Sequence, residues 1–400
     1  MNECARCGAC TAVCPLYLAS GRESLTARGK LHLLDRLSPG AASRTYADIL
    51  SKCLLCGACT AACPRKIDTP ALITRARRDL NRQAGRNVLA SSLAGRLLAR
   101  PNLLAKSLRA SAAAGDLLAR VLPPGSGLRL KLGLLARSES RAAGNRYVTA
   151  ARDADHPGAE VAYFAGCWAD HLQQPIALAT ERLTTEATGA PPQVPREQAC
   201  CGQAALASGN FEQARELARQ NIAAFESRDL PILTSCASCY RHLLSYPELL
   251  QDEPDWQERA LAFSGRLLEF STFFGNRFAC RTPGFRERQV RVFYHDPCHL
   301  RFGRRITAPP RNLLVKAHLP PFELPTGPQC CGQGGLFHLA QPELAEAVRS
   351  RLLSACAPLA ADYLTTTCSG CLLHLQEGLL AAENPARVRH LAEVLVEGLI

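Results

Sequence analysis

The sequence predicts a multidomain α+β protein. A helical N-terminal module spans residues 1–84, a helical linker 85–157, and two duplicated α/β domains 158–286 and 287–400. Three observations predict this layout. A four-cysteine run occurs twice within the first 64 residues. A basic, leucine-rich stretch broken by prolines follows it. From Glu160 onward, short apolar runs alternate with helical patterns, and the alternation repeats after about 130 residues.

The first cysteine run reads Cys4-Ala-Arg-Cys7-Gly-Ala-Cys10-Thr-Ala-Val-Cys14-Pro15, and the second Cys53-Leu-Leu-Cys56-Gly-Ala-Cys59-Thr-Ala-Ala-Cys63-Pro64. Both match the C-x-x-C-x-x-C-x-x-x-C-P spacing that holds 4Fe–4S clusters in bacterial-type ferredoxins, where the fourth cysteine serves the other cluster. The expected ligand sets are therefore crossed. One is Cys4, Cys7, Cys10 and Cys63; the other is Cys53, Cys56, Cys59 and Cys14. Gly8 and Gly57 let the backbone bend close to a cluster, and each proline turns the chain away. Zinc fits less well, because it takes four ligands, usually as two C-x-x-C pairs.

Between the runs, Leu31 to Leu37 has a helical apolar pattern. A helical insert resembles the two-cluster modules of respiratory iron–sulfur subunits more than a compact, strand-built ferredoxin. After the second run, Thr69-Pro70 reads as the cap and first position of a helix through Leu80.

Twenty cysteines in 400 residues are too sparse for a small disulfide scaffold. The opening Met-Asn-Glu-Cys lacks a basic and apolar leader, which predicts a reducing cytoplasm that keeps thiols available as metal ligands. No apolar run reaches the ~20 residues of a membrane span. The net charge of +12 is concentrated between Arg65 and Arg152, where 18 Lys and Arg meet 4 Asp and Glu. The rest of the chain sums to −2, so the excess marks one surface and not a nucleic-acid-binding fold.

Within residues 85–150, leucines recur at helical spacing and Pro101 and Pro123-Pro124 divide the stretch into short helices. It reads either as a connector with a solvated charged face or as a basic surface for anionic lipid or an acidic partner. The lipid version would place the protein peripherally on the inner face of the cytoplasmic membrane. No aromatic residue between Pro101 and Arg146 supports it.

In the first α/β domain, Val161–Ala165 and Ile232–Thr234 read as strands, and Phe211–Phe225 and the stretch from Tyr240 as helices. In the second, Val290–Tyr294 and Tyr363–Thr366 read as strands, and Leu344–Leu353 and Leu372–Leu380 as helices. The repeat is sharpest in the cysteines. Domain one has Cys167, Cys200, Cys201, Cys236 and Cys239; domain two has Cys298, Cys330, Cys331, Cys368 and Cys371. Matching residues differ by 130 to 132 positions, and Cys-Cys-Gly-Gln recurs at 200–203 and 330–333. Ten thiols at two sites select iron–sulfur clusters or zinc over oxygen-loving metals. Cys280 and Cys356 fall outside the repeat and read as inert thiols. His295, Asp296 and His299 flank Cys298; they read either as donors to cluster sulfur or as polar residues of a turn. His242 and His374, each three residues after a C-x-x-C, read mainly as ordinary structural residues.

These motifs together resemble the iron–sulfur subunit of glycolate oxidase, whose relatives include the lactate-utilisation iron–sulfur protein. The small subunit of anaerobic glycerol-3-phosphate dehydrogenase and the CCG subunit of heterodisulfide reductase are also similar. The stretch Cys53 to Pro64 and the segment Ala27-Arg-Gly-Lys30 carry the glycolate oxidase likeness. That resemblance implies an electron-transfer subunit, active only with an FAD-linked partner that oxidises glycolate or D-lactate, and relaying electrons toward a membrane or quinone acceptor. The chain shows no flavin or nicotinamide fingerprint of its own; Gly332-Gln-Gly-Gly335 does not match one. The full set of ten cysteines is closer to the heterodisulfide reductase subunit, whose CCG domains hold non-cubane 4Fe–4S clusters. It implies an alternative, a reductase in which a CCG-bound cluster splits a disulfide.

Overall fold

The computed structural model describes residues 4–36, 43–83, 147, 156, 158–227, 229–280, 283–327 and 329–400. The basic linker predicted at 85–157 lies almost entirely outside them. No helix among the described residues is long and apolar enough to cross a membrane.

The N-terminal module is helical: α1 (Ala9–Val13), α2 (Pro15–Ser20), α3 (Ala27–Arg36), α4 (Arg44–Ser51), α5 (Ala58–Ala62) and α6 (Thr69–Gln83). The duplication is visible in the backbone. Gly8 and Gly57 both adopt φ 82°, and each caps a five-residue helix made from its cysteine run. Arg6 and Leu55, at matching places, both take φ 54°, a strained conformation for residues with a Cβ. Pro15 departs from expectation and opens α2 directly, whereas Pro64 leads into a turn as expected. The cap of α6 is Asp68, whose Oδ1 accepts from the Ala71 N–H at 3.1 Å, so the helix includes Thr69.

Each α/β unit holds a three-stranded parallel sheet. Unit 1 orders β1 (Ala162–Phe164), β2 (Ile232–Thr234) and β3 (Leu267–Glu269); unit 2 orders β4 (Val292–Tyr294), β5 (Tyr363–Thr366) and β6 (Arg387–His390). Tyr163 pairs with Leu233, and Phe293 with Leu364. The strands β1, β2 and β4 are buried throughout, which explains their continuous apolar runs. Helices Gln174–Thr188 and Phe211–Ala224 connect β1 to β2; helix Pro342–Cys356 precedes β5.

The two units share their core. Phe270, Phe274 and Leu183 of unit 1 pack in one cluster with Tyr294, Leu313, Val394 and Leu395 of unit 2. Each fully buried side chain of this size contributes ~1.5–3 kcal/mol, so the units are welded together. Helix α6 ties the N-terminal module to unit 1. The Arg77 guanidinium donates to the Ala207 carbonyl (2.6 Å), and the Asn81 side chain to the Ser208 carbonyl (2.9 Å).

Candidate metal centres

In the N-terminal module, Cys4, Cys7, Cys10 and Cys63 line one cavity of about 160 Å³, with Cys59 on its wall. Cys14, Cys53, Cys56 and Cys59 line a second, smaller one of about 30 Å³. The folding of the two runs back to back, α1 against α5, brings the last cysteine of each run to the other run's loop.

The two cavities differ in charge. Lys30 is only 1% exposed beside the second, and its ammonium donates to the Leu25 carbonyl. Burial lowers its pKa, while Cys53 and Cys14 favour its charged form. Arg77, half-buried, donates to the carbonyls of Leu50 (3.0 Å), Ser51 (2.8 Å) and Cys53 (2.9 Å). At the first cavity the nearby Arg28 is partly exposed and paired with Glu23. Burial pushes the Cys59 thiol up to about 12 and raises Cys14 too. A bound cation reverses that cost by favouring thiolate.

In both α/β units the single cysteine and the C-x-x-C pair follow the carboxyl ends of strands. Cys167 and Cys236 come after β1 and β2; Cys298 and Cys368 come after β4 and β5. The helices Ala237–Leu243 and Ser369–Ala381 start inside the C-x-x-C motifs, three residues earlier than their apolar patterns suggest. In unit 1, Cys200 is held well below the usual thiol range by hydrogen bonds from Cys167 and Cys201. In unit 2, its counterpart Cys330 is held down in the same way by Cys298 and Cys331, and it accepts from the Gly332 N–H at 3.4 Å. Cys331 Sγ donates to Cys371 Sγ at 3.1 Å. Gly202 and Gly332 occupy left-handed conformations (φ 93° and 85°) against the histidines. A Cβ there would stand 3.2 Å from His242 Nε2 and 3.2 Å from His374 Cε1.

The thiol sets adjoin one another. Cys236 of unit 1 and Cys368 of unit 2 stand close enough to shift each other's titration, Cys236 down and Cys368 up, and Ser238 Oγ lies 3.2 Å from Cys368 Sγ. Cys56 of the second run packs in one apolar cluster with Cys330, and its thiol is raised by burial and then by Cys330. Four sets therefore stand in series: first run, second run, unit 2, unit 1. Sequence spacing gave no signal of this order.

The flanking residues are more structured than a polar turn. Asp296 is buried and receives two 2.8 Å hydrogen bonds from the Arg311 guanidinium. His299 Nδ1 lies 2.9 Å from Ser238 Oγ, linking it to Cys368. Burial lowers His242 and His299 to about 4, and His374 to about 3, so all three are neutral near pH 7. Cys280 is exposed, and Cys356 is buried in the apolar core, which pushes its thiol up to about 12. Lys30 and Arg77 escaped sequence reasoning, because a Lys or Arg in a helix ordinarily faces water.

The donor chemistry fits iron–sulfur groups. Eighteen thiols gather at four sites, and no carboxylate lines either cavity of the N-terminal module.

The family described as a 4Fe-4S dicluster domain matches residues 1–67, and that described as a cysteine-rich domain matches residues 161–244 and 292–376. The chain is 35% identical over 247 residues to the probable glycolate oxidase iron-sulfur subunit of Bacillus subtilis (strain 168), covering 59% of this chain and 54% of that protein. It thus spans about half the length of that relative. It is 31% identical over 237 residues to lactate utilization protein A of Geobacillus thermodenitrificans (strain NG80-2), covering 59% of this chain and 98% of that protein. The crystal structure of a hypothetical protein from Helicobacter pylori superposes with a TM-score of 0.57 at 11% identity, covering 96% of this chain and 70% of that one. That likeness concerns the fold alone.

Proposed function

We propose a function from one premise: the chain belongs to the cysteine-rich iron–sulfur family that includes lactate utilization protein A and the glycolate oxidase iron-sulfur subunit. It is the electron-transfer subunit of a complex that oxidises a 2-hydroxy acid, glycolate or D-lactate. A partner subunit carrying FAD takes the hydride, and this chain passes the electrons onward to a membrane or quinone acceptor. The observation that carries this reading is the unbroken series of four thiol sets.

Cys4, Cys7, Cys10 and Cys63 hold one 4Fe–4S group, and Cys53, Cys56, Cys59 and Cys14 the next. Cys298, Cys330, Cys331, Cys368 and Cys371 hold the third metal group; Cys167, Cys200, Cys201, Cys236 and Cys239 hold the fourth. Bound iron–sulfur clusters would supply one-electron carriers at these places. The protein's share is spacing, exclusion of water and local charge. Lys30 and Arg77 set positive charge beside the second set, which favours added electrons there.

The test is to purify the chain anaerobically, measure iron, sulfide and zinc, then add the FAD-linked partner with glycolate or D-lactate. About sixteen iron per chain and bleaching of the visible absorbance by hydroxy acid are expected. About eight iron with zinc would confine electron transfer to the N-terminal module. No bleaching with any hydroxy acid would sink the proposal.

One observation favours a second reading, disulfide reduction at the α/β units. A cleft of about 160 Å³ between α6 and unit 1 is lined by Arg241, His242 and His299, close to the Cys236–Cys368 junction. Turnover of a disulfide by the reduced chain alone would establish it.

A further inference from the structure

The duplication places different residues at one matched position. Phe164 ends β1 three residues before Cys167; His295 follows β4 three residues before Cys298. Phe164 is fully buried and packs its ring 5.9 Å from that of Phe225. His295 is 2% exposed at the same place. A buried imidazole needs polar partners, and a phenyl ring would fill that space without them.

A His295 ring nitrogen, Cys331 Sγ and Cys371 Sγ all lie within 4.8 Å of one another. Among the described residues no other three His, Cys, Asp or Glu side chains bring ligand atoms that close. The position is fixed from both sides. The His295 N–H donates to the Thr365 carbonyl at 2.8 Å, and the adjacent Asp296 is clamped by Arg311. One imidazole nitrogen with two thiolates is a donor set for iron or zinc.

We propose that His295 is a metal ligand of unit 2, acting with Cys331 and Cys371, so that unit 2 binds its metal group through nitrogen and sulfur whereas unit 1 uses sulfur alone. This rests on the reading that unit 2 holds a metal group. A neutral nitrogen at this position leaves the bound group less negative and easier to reduce than a thiolate there would, as in iron–sulfur centres with histidine ligands.

The deciding experiment is a crystal structure of the anaerobically purified, metal-loaded chain, with anomalous data at the iron and zinc edges. A metal atom in unit 2 at ~2.0–2.3 Å from a His295 nitrogen is the expected result. Metal in unit 2 with the imidazole beyond bonding distance would overturn the ligand role and leave the metal site standing. No metal in unit 2 beside a filled N-terminal module would overturn the site itself. In solution, H295C replaces imidazole by thiolate. It is expected to keep the metal content and to lower the reduction potential of unit 2, with the N-terminal signals unmoved. An unchanged unit 2 potential would count against ligation.

Discussion

In unit 1 the Cys201 carbonyl accepts a 2.7 Å hydrogen bond from the Tyr246 hydroxyl; in unit 2 the matching Cys331 carbonyl accepts one of 2.7 Å from His374 Nδ1. The histidine aligned with His374 is His242, and it does not make that bond. Its Nδ1 lies 3.2 Å from Ser245 Oγ, and its buried Nε2 has no hydrogen-bond partner. The two units thus hold the same five-cysteine frame with different neighbours. The difference teaches that the duplicated element is the strand-end thiol frame, while the residues that satisfy and tune it diverged. Unit 2 faces Cys56 of the N-terminal module, and unit 1 receives α6.

The largest expected effects break the frames themselves. Cys201→Ala should remove the metal of unit 1 only, and Cys331→Ala that of unit 2 only, each leaving the N-terminal EPR signals intact. Cys236→Ala and Cys368→Ala sit at the junction and are expected to perturb both units. Iron analysis with EPR distinguishes these outcomes; loss of all iron from Cys201→Ala would refute separable sites. Cys14→Ser should abolish the cluster of the second run. A selective loss of the first cluster would overturn the crossed ligand sets.

Next comes pH. In the unfolded chain histidines take up a proton near pH 6.5, but folded His242 and His299 wait until about 4 and His374 until about 3. The unfolded state therefore binds more protons in that window, and stability falls as pH drops from about 6.5 toward 4. The slope is up to about 1.4 kcal/mol per pH unit for each histidine. Urea unfolding across this range checks it, and His374→Gln should flatten the slope by about one proton. A slope equal to wild type would show that His374 is not held neutral.

Tyr246→Phe sharpens the comparison more gently. It strips the Cys201 carbonyl of its partner and should cost about 1–3 kcal/mol, with unit 2 spectroscopy unchanged. A wild-type unfolding midpoint would mean the carbonyl finds another donor. The smallest effect is electrostatic. Lys30→Met should lower the potential of the second-run cluster by roughly 50–100 mV, at an effective dielectric of about 20, and leave the first unmoved. A redox titration followed by EPR that moves both clusters equally would remove Lys30 from its special place.

Much of the fold was legible. The residues of β2 (Ile232–Thr234) and β5 (Tyr363–Thr366) stand where their apolar runs predict. The other two predicted strands are shorter than their apolar runs by one or two residues at an end. The strands β3 and β6 were not legible. Leu267-Leu-Glu269 is too short to show a pattern, and Arg387-Val-Arg-His390 alternates more exposed arginines with buried Val388 and His390, so no apolar run marks it.

The sequence by itself determined the two four-cysteine runs, the five-cysteine repeat and the alternation of strands with helices. Those features live in short spacings, where covalent geometry restricts what neighbouring residues can do. Only the tertiary structure decided that Cys236 meets Cys368, that Cys56 meets Cys330, that Lys30 is buried beside one thiol set and not the other, and that His295 closes on Cys331 and Cys371. These residues lie well apart in the chain. The docking of buried apolar faces brings them together, and the spacing of cysteines along the chain carries no trace of that docking.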